Sequence, residues 1–190
     1  MKKQAVLATI STLVFACSQS PDHLRTVLKF QKHKNQGDVE AALELFIDEP
    51  SLNLGPLGTI AGRTGVRSIL EYDLALNAHL QFEACEANGL EVTCRVVEMN
   101  DWLRLVEIDS ITYDENKFTF TSDGRIESVA ATLSAESEQS IGAAMAEFHD
   151  WAITNRPVEY GDLFSDEGAF VYNRENAGKV LVLLRIWRNK

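Results

Sequence analysis

GRTGVRSILEYDLALNAHLQFEACEANGLEVTCRVVEMNDW, residues 62–102, decides how the chain is read: a helix followed at once by a β-hairpin. Val66, Ile69, Leu70, Leu74 and Leu76 recur at helical spacing and make one apolar stripe. Thr64, just ahead of them, suits an N-cap, because its hydroxyl can take a free backbone N–H of the first turn. At about 100° per residue, Asp73 and Asn77 fall inside the stripe and not on its polar edge. A carboxylate aimed at a core is costly unless it is paired or faces a water-filled cavity. Asp73 is therefore either a structural ion-pair member or a group in a wet pocket.

From Ala78 the period changes to two. Leu80, Phe82 and Ala84 take one face, and His79, Gln81, Glu83 and Cys85 the other. Asn88-Gly89 is a strong turn signal, since both residues tolerate positive φ. On the return strand Val92, Cys94 and Val96 share a face. Two registers compete. A three-residue loop gathers the apolar residues and sets Cys85 and Cys94 on opposite faces. A two- or four-residue loop puts both cysteines on one face, and the four-residue loop sets them directly opposite. The compartment has to decide.

The start of the chain speaks to the compartment. Lys2 and Lys3 precede an apolar run, Ala5 to Phe15, too short to span a bilayer as a helix but suited to a signal-peptide core. It ends Val14-Phe15-Ala16-Cys17, which resembles the lipobox of bacterial lipoproteins, with Phe15 bulkier than the usual residue. The resemblance implies that residues 1–16 are removed and that Cys17 becomes a lipidated N-terminus followed by a short tether to residue 22. Several acyl chains hold a protein stably where one is marginal, at about 0.8 kcal/mol per buried CH₂. Ser18 stands where an aspartate would signal inner-membrane retention in enteric-type sorting. The expected address is the bacterial envelope, on the outer membrane facing the periplasm.

The chain carries 18 Lys and Arg against 28 Asp and Glu, a net charge of −10. Loss of Lys2 and Lys3 with the signal peptide takes the body to −12. Such an acidic body argues against nucleic acid and against polybasic membrane contact, so the lipid alone would hold it to the membrane. Export also means an oxidising space, where Cys85 and Cys94 can pair. We read them as a disulfide, against the alternation of the strands.

Elsewhere the pattern is equally regular. A first helix, His23 to Gln36, turns Leu24, Val27 and Leu28 inward, and Gly37 breaks it. Asp38 caps a second, with Val39, Ala42, Leu43 and Phe46 at core spacing, ended by Pro50. Leu52–Leu54 reads as a short strand. Asn100 to Leu105 reads as a capped helical turn. Ser110–Tyr113, Lys117–Thr121 and Arg125–Leu133 read as strands.

This order resembles the SnoaL-like branch of the NTF2-like superfamily. The resemblance rests on the helix pair His23–Ile47, the entry Gly62-Arg63-Thr64-Gly65-Val66-Arg67 and the strands from Ala78 to Leu133. Val92-Thr93-Cys94-Arg95-Val96 followed by Asn100-Asp101-Trp102 also looks like exported members. It implies an α+β cone over residues 23–134, in which N-terminal helices pack on a curved antiparallel sheet and close a pocket. Such folds host isomerases, cyclases, dehydratases and many noncatalytic binders. Residues 135–190 would add a helical extension. Ser134 can cap a long helix carrying Ile141, Ala144, Met145, Phe148, Trp151 and Ala152, stopped at Pro157. A last helix carries Ala177, Val180, Leu181, Leu184 and Trp187. These faces are expected to pack on the cone and on each other.

No HExxH, GxSxG, P-loop, CxxC or GxGxxG motif occurs. His23, His33, His79 and His149 are scattered, none at metal-ligand spacing, so neither a metal nor another cofactor is expected. In steroid-isomerase-like members a carboxylate base and a tyrosine acid face each other across the cone. Here Tyr72, Asp73, Asn77, His79, Asp101 and Trp102 are the candidates for one mouth, though none matches a family motif position. Two readings result. One is a noncatalytic envelope lipoprotein whose cone binds a small apolar or polar ligand, or which meets a second copy or an envelope partner. The other is an acid–base enzyme of isomerase or cyclase type, using Asp73 with Tyr72 or His79.

Overall fold

The computed structural model describes residues 22–55 and 58–190. The expected signal peptide and Cys17 lie outside the described residues. Helix α1 (His23–Gln36) opens on Asp22, whose carboxylate accepts from Arg25 N–H, and ends at Gly37 with φ 72°. The left-handed φ favours glycine at this cap, and a Cβ there would come within 2.7 Å of a terminal methyl of Leu74, which would have to shift.

Helix α2 (Val39–Leu43) is shorter than its spacing suggests. The chain leaves it to form strand β1 (Phe46–Asn53), which contains Pro50 where a helix stop was expected. The pairing slips between Phe46 and Ser51, and a residue without N–H is tolerated at such an irregularity. Strand β2 (Thr59–Ala61) runs straight into α3 (Gly62–Ala75). Ala61, not Thr64, is the cap residue of α3; Thr64 lies within its first turn.

The hairpin β3 (His79–Asn88) and β4 (Glu91–Met99) follows, then α4 (Asp101–Leu105), capped by Asn100. Strand β5 (Ile111–Phe120) is continuous through the polar Asp114–Asn116, because an irregularity between Tyr113 and Glu115 absorbs the break in alternation. Strand β6 (Ile126–Leu133) leads to α5 (Ala135–Asn155), α6 (Pro157–Gly161) and α7 (Arg174–Arg188). Ser134 caps α5 by accepting from Ser137 N–H.

The strands form one sheet in the order β2-β1-β6-β5-β4-β3, antiparallel throughout except for the parallel pair β1–β6. The hairpin contains both competing registers. Near the turn Asn88 faces Glu91 across a two-residue loop, which brings Cys85 and Cys94 together, and they are disulfide-bonded. Past a bulge between Glu83 and Glu86 the pairing becomes Phe82 with Val96, the register that gathers the apolar residues. Ala84, at φ 46°, is the residue that absorbs the extra length.

One apolar core lies between α1, α3 and the sheet, built on Val27, Phe30, Leu43, Phe46, Val66 and Phe118. A second joins α5, α6 and α7 through Phe148, Ala152, Tyr160, Leu184 and Trp187. Helix α7 also lays Ala177 and Leu181 against Leu76. The tail helices pack inward as expected through Phe148, Ala152, Leu184 and Trp187, but Met145, expected on the same stripe, is exposed. Among the described residues no helix is long and apolar enough to cross a membrane.

Candidate functional site

Helix α1 is tied to the hairpin at both ends. Asn35 donates to Leu80 O (2.7 Å) and accepts from Leu80 N–H (2.9 Å), while His23 Nδ1 lies 3.0 Å from Gly89 O and its ring stacks on Phe120. Val27 and Phe30 therefore face the sheet, and Lys34, next on the same stripe, faces it too. Strand β4 does the same by alternation. Val92, Cys94 and Val96 point inward, and so does Glu98. On β5, Asn116 continues the inward face of Phe118 and Phe120.

These side chains meet at a cavity of about 100 Å³, bordered by Lys34, Asp73, Glu98, Tyr113 and Asn116 among the phenylalanines of the cone. The Lys34 ammonium lies 3.0 Å from Asp73 Oδ2, and its side chain is only 7% exposed. Beyond that ion pair the nitrogen has no hydrogen-bond partner among the described residues; the Asn116 Oδ1 has none at all there. Glu98, by contrast, is fully engaged: Asn100 donates to Oε1 (2.8 Å) and the Tyr113 hydroxyl to Oε2 (2.9 Å).

Burial, and after it the nearby Asp73 charge, hold the Glu98 carboxyl above the ordinary carboxylate range, against the pull of Lys34. The Tyr113 phenol is pushed well up by burial and then by Glu98. The site thus holds an ion pair beside a carboxyl whose hold on a proton is raised by burial. It offers a fixed cation, a buried carboxyl of raised pKa and an amide around one small volume.

The expected residues do not all gather here. Asp73 borders the cavity. Tyr72, its neighbour, turns the other way, edge-on to Phe170 and Tyr172, and burial raises its phenol. Asn77 and Asp101 meet each other, with Asn77 Nδ2 donating to Asp101 Oδ2 at 2.5 Å, but as a tie between the end of α3 and the start of α4. Burial acts to raise the Asp101 carboxyl, yet the Asn77 hydrogen bond and the Arg104 ion pair hold it below its usual value. His79 is exposed at the start of β3. Trp102 packs against the α7 core.

Lys34, Glu98, Tyr113 and Asn116 were not on that roster. The signal for three of them was present: each is a polar residue at an inward position of an apolar pattern, as Asp73 is. Tyr113 lies beside a strand irregularity that alternation cannot foresee.

A wider polar cleft, about 240 Å³, lies where β5 and the N-terminus of α5 meet, lined by Ser110, Thr112, Ser134, Ser137 and Ser140. Its innermost hydroxyls are spent on structure: Ser137 Oγ accepts from Thr112 N–H and from the Ser134 hydroxyl. Among the described residues no group of three or more His, Cys, Asp or Glu could hold a metal ion.

No protein-family model matches the sequence, and no curated protein matches it. Solved structures do match in fold. SalBIII, an epoxide hydrolase/cyclase-like enzyme of pyran ring formation in salinomycin, superposes with a TM-score of 0.53 at 17% identity, covering 60% of this chain and 92% of that one. An NTF2-like protein of unknown function from Cytophaga hutchinsonii gives 0.51 at 15% identity, covering 63% and 96%. A proposed ketosteroid isomerase from Kribbella flavida gives 0.52 at 14%, covering 63% and 82%. The fold is the NTF2-like cone. At these identities the likeness speaks for the fold alone, which both enzymes and proteins of unknown function share.

Proposed function

We propose that the cone binds a small, polar, uncharged molecule, and that the protein is a binding lipoprotein of the SnoaL-like branch held in the bacterial envelope. One observation carries the binding reading: Lys34 Nζ, engaged only by the Asp73 ion pair, and the buried acceptor Asn116 Oδ1, which has no partner among the described residues, face one cavity. An unmet buried polar group costs about 1–3 kcal/mol. A molecule offering a donor would relieve Asn116, and an acceptor on it would take a further hydrogen of the Lys34 ammonium. The charge of Lys34 is already balanced by Asp73, which favours an uncharged ligand. The cavity volume is far below the ~300–1,000 Å³ of ordinary ligand pockets, so the ligand has few heavy atoms.

The envelope address is supported by the charged start, the apolar run and Cys17 in the sequence. The Cys85–Cys94 disulfide fits an oxidising compartment. Residues 23–134 would be the binding cone and 135–190 its helical extension.

Native mass spectrometry of the purified full chain tests the reading. The expected result is a small-molecule adduct that is lost in Asn116→Leu. A clean monomer mass, or a second chain in place of a ligand, would overturn it.

Glu98 favours a second reading, acid–base catalysis. A carboxyl of raised pKa next to a tyrosine is an arrangement suited to proton transfer. In D₂O, deuterium incorporation into the recovered molecule by wild type and not by Glu98→Gln would favour catalysis over binding.

A further inference from the structure

Lys34 is an unusual lysine for this chain. Lys29 and Lys32 of the same helix are exposed, whereas the Lys34 side chain is 7% exposed and borders the cone cavity among Phe30, Leu80, Phe82 and Phe118. Two inward stripes create the placement: Lys34 ends the one that carries Val27 and Phe30 on α1, and Asp73 belongs to that of Val66, Ile69 and Leu70 on α3. The two groups meet at 3.0 Å. A buried cation ordinarily spends its remaining hydrogens on further acceptors. This one has none beyond Asp73 among the described residues, and a cavity lies beside it. An amine in a desolvated pocket, within hydrogen-bonding distance of a carboxylate, is the arrangement of an activated nucleophile with its base. The proton can pass from nitrogen to oxygen without changing the net charge of the pair, so the apolar surroundings do not oppose that step.

We propose that Lys34 condenses with a small hydroxy-aldehyde or hydroxy-ketone in the cone cavity, Asp73 carrying the proton and Asn116 Oδ1 accepting from the substrate hydroxyl. The proposal rests on the cone being the binding site, and it deepens that reading by naming the substrate class. Asp73 takes one proton from the ammonium, and the free amine adds to the carbonyl carbon. A carbon–nitrogen bond forms as the carbonyl π pair moves to oxygen. That oxygen receives a second proton from the nitrogen, and Asp73 then returns its own as the carbon–oxygen bond breaks and water leaves. The product is an iminium ion with the charge where the ammonium had it, so the ion pair with Asp73 survives the condensation. No oxidant or reductant is consumed. A compound of this class is polar and uncharged, has few heavy atoms, and brings the donor that Asn116 Oδ1 lacks. The phenylalanine walls keep the water content of the site low, which protects an iminium from hydrolysis.

The probe is glycolaldehyde with cyanoborohydride, which reduces an iminium to a stable hydroxyethyl-lysine, followed by peptide mass spectrometry of the full chain. Exposed Lys29 is the internal reference. If Lys34 were only a buried ion-pair member, it would label more slowly than Lys29. As a nucleophile with a positioned base it should lead Lys29 by roughly tenfold or more. Asp73→Asn should abolish that lead. If this variant does not fold by circular dichroism, Asn116→Leu replaces it: the ion pair stays, Lys34 labelling should fall several-fold, and Lys29 labelling should not change. Wild-type Lys34 labelling no faster than Lys29, or a lead undiminished in a folded variant, would overturn the proposal. The readout is covalent and needs no co-purifying ligand, so failure here is distinct from failure of the binding reading. A small-molecule adduct in native mass spectrometry that cyanoborohydride does not fix to Lys34 would overturn the condensation and leave binding in place.

Discussion

Lys34 Nζ lies 3.0 Å from Asp73 Oδ2 across the packing of α1 on α3, and the lysine side chain is 7% exposed against 21% for the aspartate. The asymmetry has an energetic consequence. Removing the carboxylate strands a buried cation, whereas removing the cation leaves a carboxylate that keeps some contact with water.

Asp73→Asn should therefore destabilise the protein by about 2–4 kcal/mol, and Lys34→Met by distinctly less, because methionine keeps the apolar stem without the charge. Urea titration of both variants checks this. An equal or larger loss in Lys34→Met would show that the pair is not governed by burial of the lysine.

Glu98 makes a pH prediction. Its folded-state carboxyl titrates above its ordinary value of 4.5, so between that value and its raised one the folded state keeps a proton that the unfolded chain has released. Stability tied to this proton is full below about pH 4.5 and is lost as pH rises through the window above it. Glu98→Gln should thus gain stability over wild type on going from pH 5 to pH 8. Melting temperatures of the two proteins at both values check this; a gap that does not widen with pH would count against a raised Glu98 carboxyl.

The bulge at Ala84 carries a residue with a side chain at φ 46°. A left-handed conformation costs a non-glycine residue roughly 1–2 kcal/mol. Ala84→Gly is expected to be neutral to stabilising by up to about 1 kcal/mol, and Ala84→Val destabilising. Chemical denaturation gives the sign directly. A clear loss in the glycine variant would mean that the bulge does not hold this conformation in solution.

The disulfide closes a loop of sequence separation 9. On the chain-entropy model its removal costs about 2–3 kcal/mol. The paired variant Cys85→Ala/Cys94→Ala should lose that much, and alkylation of denatured, unreduced protein should leave both positions unlabelled. Two labelled thiols at these positions would refute the pairing.

The proposed lipid anchor is checked at Cys17. Cys17→Ala should abolish partitioning into the detergent phase, leaving a soluble or uncleaved protein. Unchanged partitioning would remove the envelope assignment.

The elements were largely legible in the sequence because their periods are local. The stripe of Val66, Ile69 and Leu70 and the alternation of Val92, Cys94 and Val96 state which side faces a core, whatever that core turns out to be. The same local rule marks Lys34, Asp73, Glu98 and Asn116 as polar residues on apolar faces, and it is sharpest at Asp73, where the stripe of Val66, Ile69, Leu70, Leu74 and Leu76 runs on either side. Helix α2 was read too long. Val39, Ala42, Leu43 and Phe46 suit a helix, and what turns Phe46 into a strand is its pairing with Ile126, eighty residues away.

What the sequence by itself determined is the α+β order, the inward faces, the acidic body and the presence of a misplaced carboxylate. Only the tertiary structure decided which misplaced polar groups share one cavity. That depends on α1 being fastened to Leu80 and on α3 crossing beside it, a matter of distances between segments that no local period contains. The hairpin shows the same division in miniature. Each of its two registers satisfies one local demand, apolar burial or cysteine pairing, and a single left-handed alanine lets the folded chain meet both.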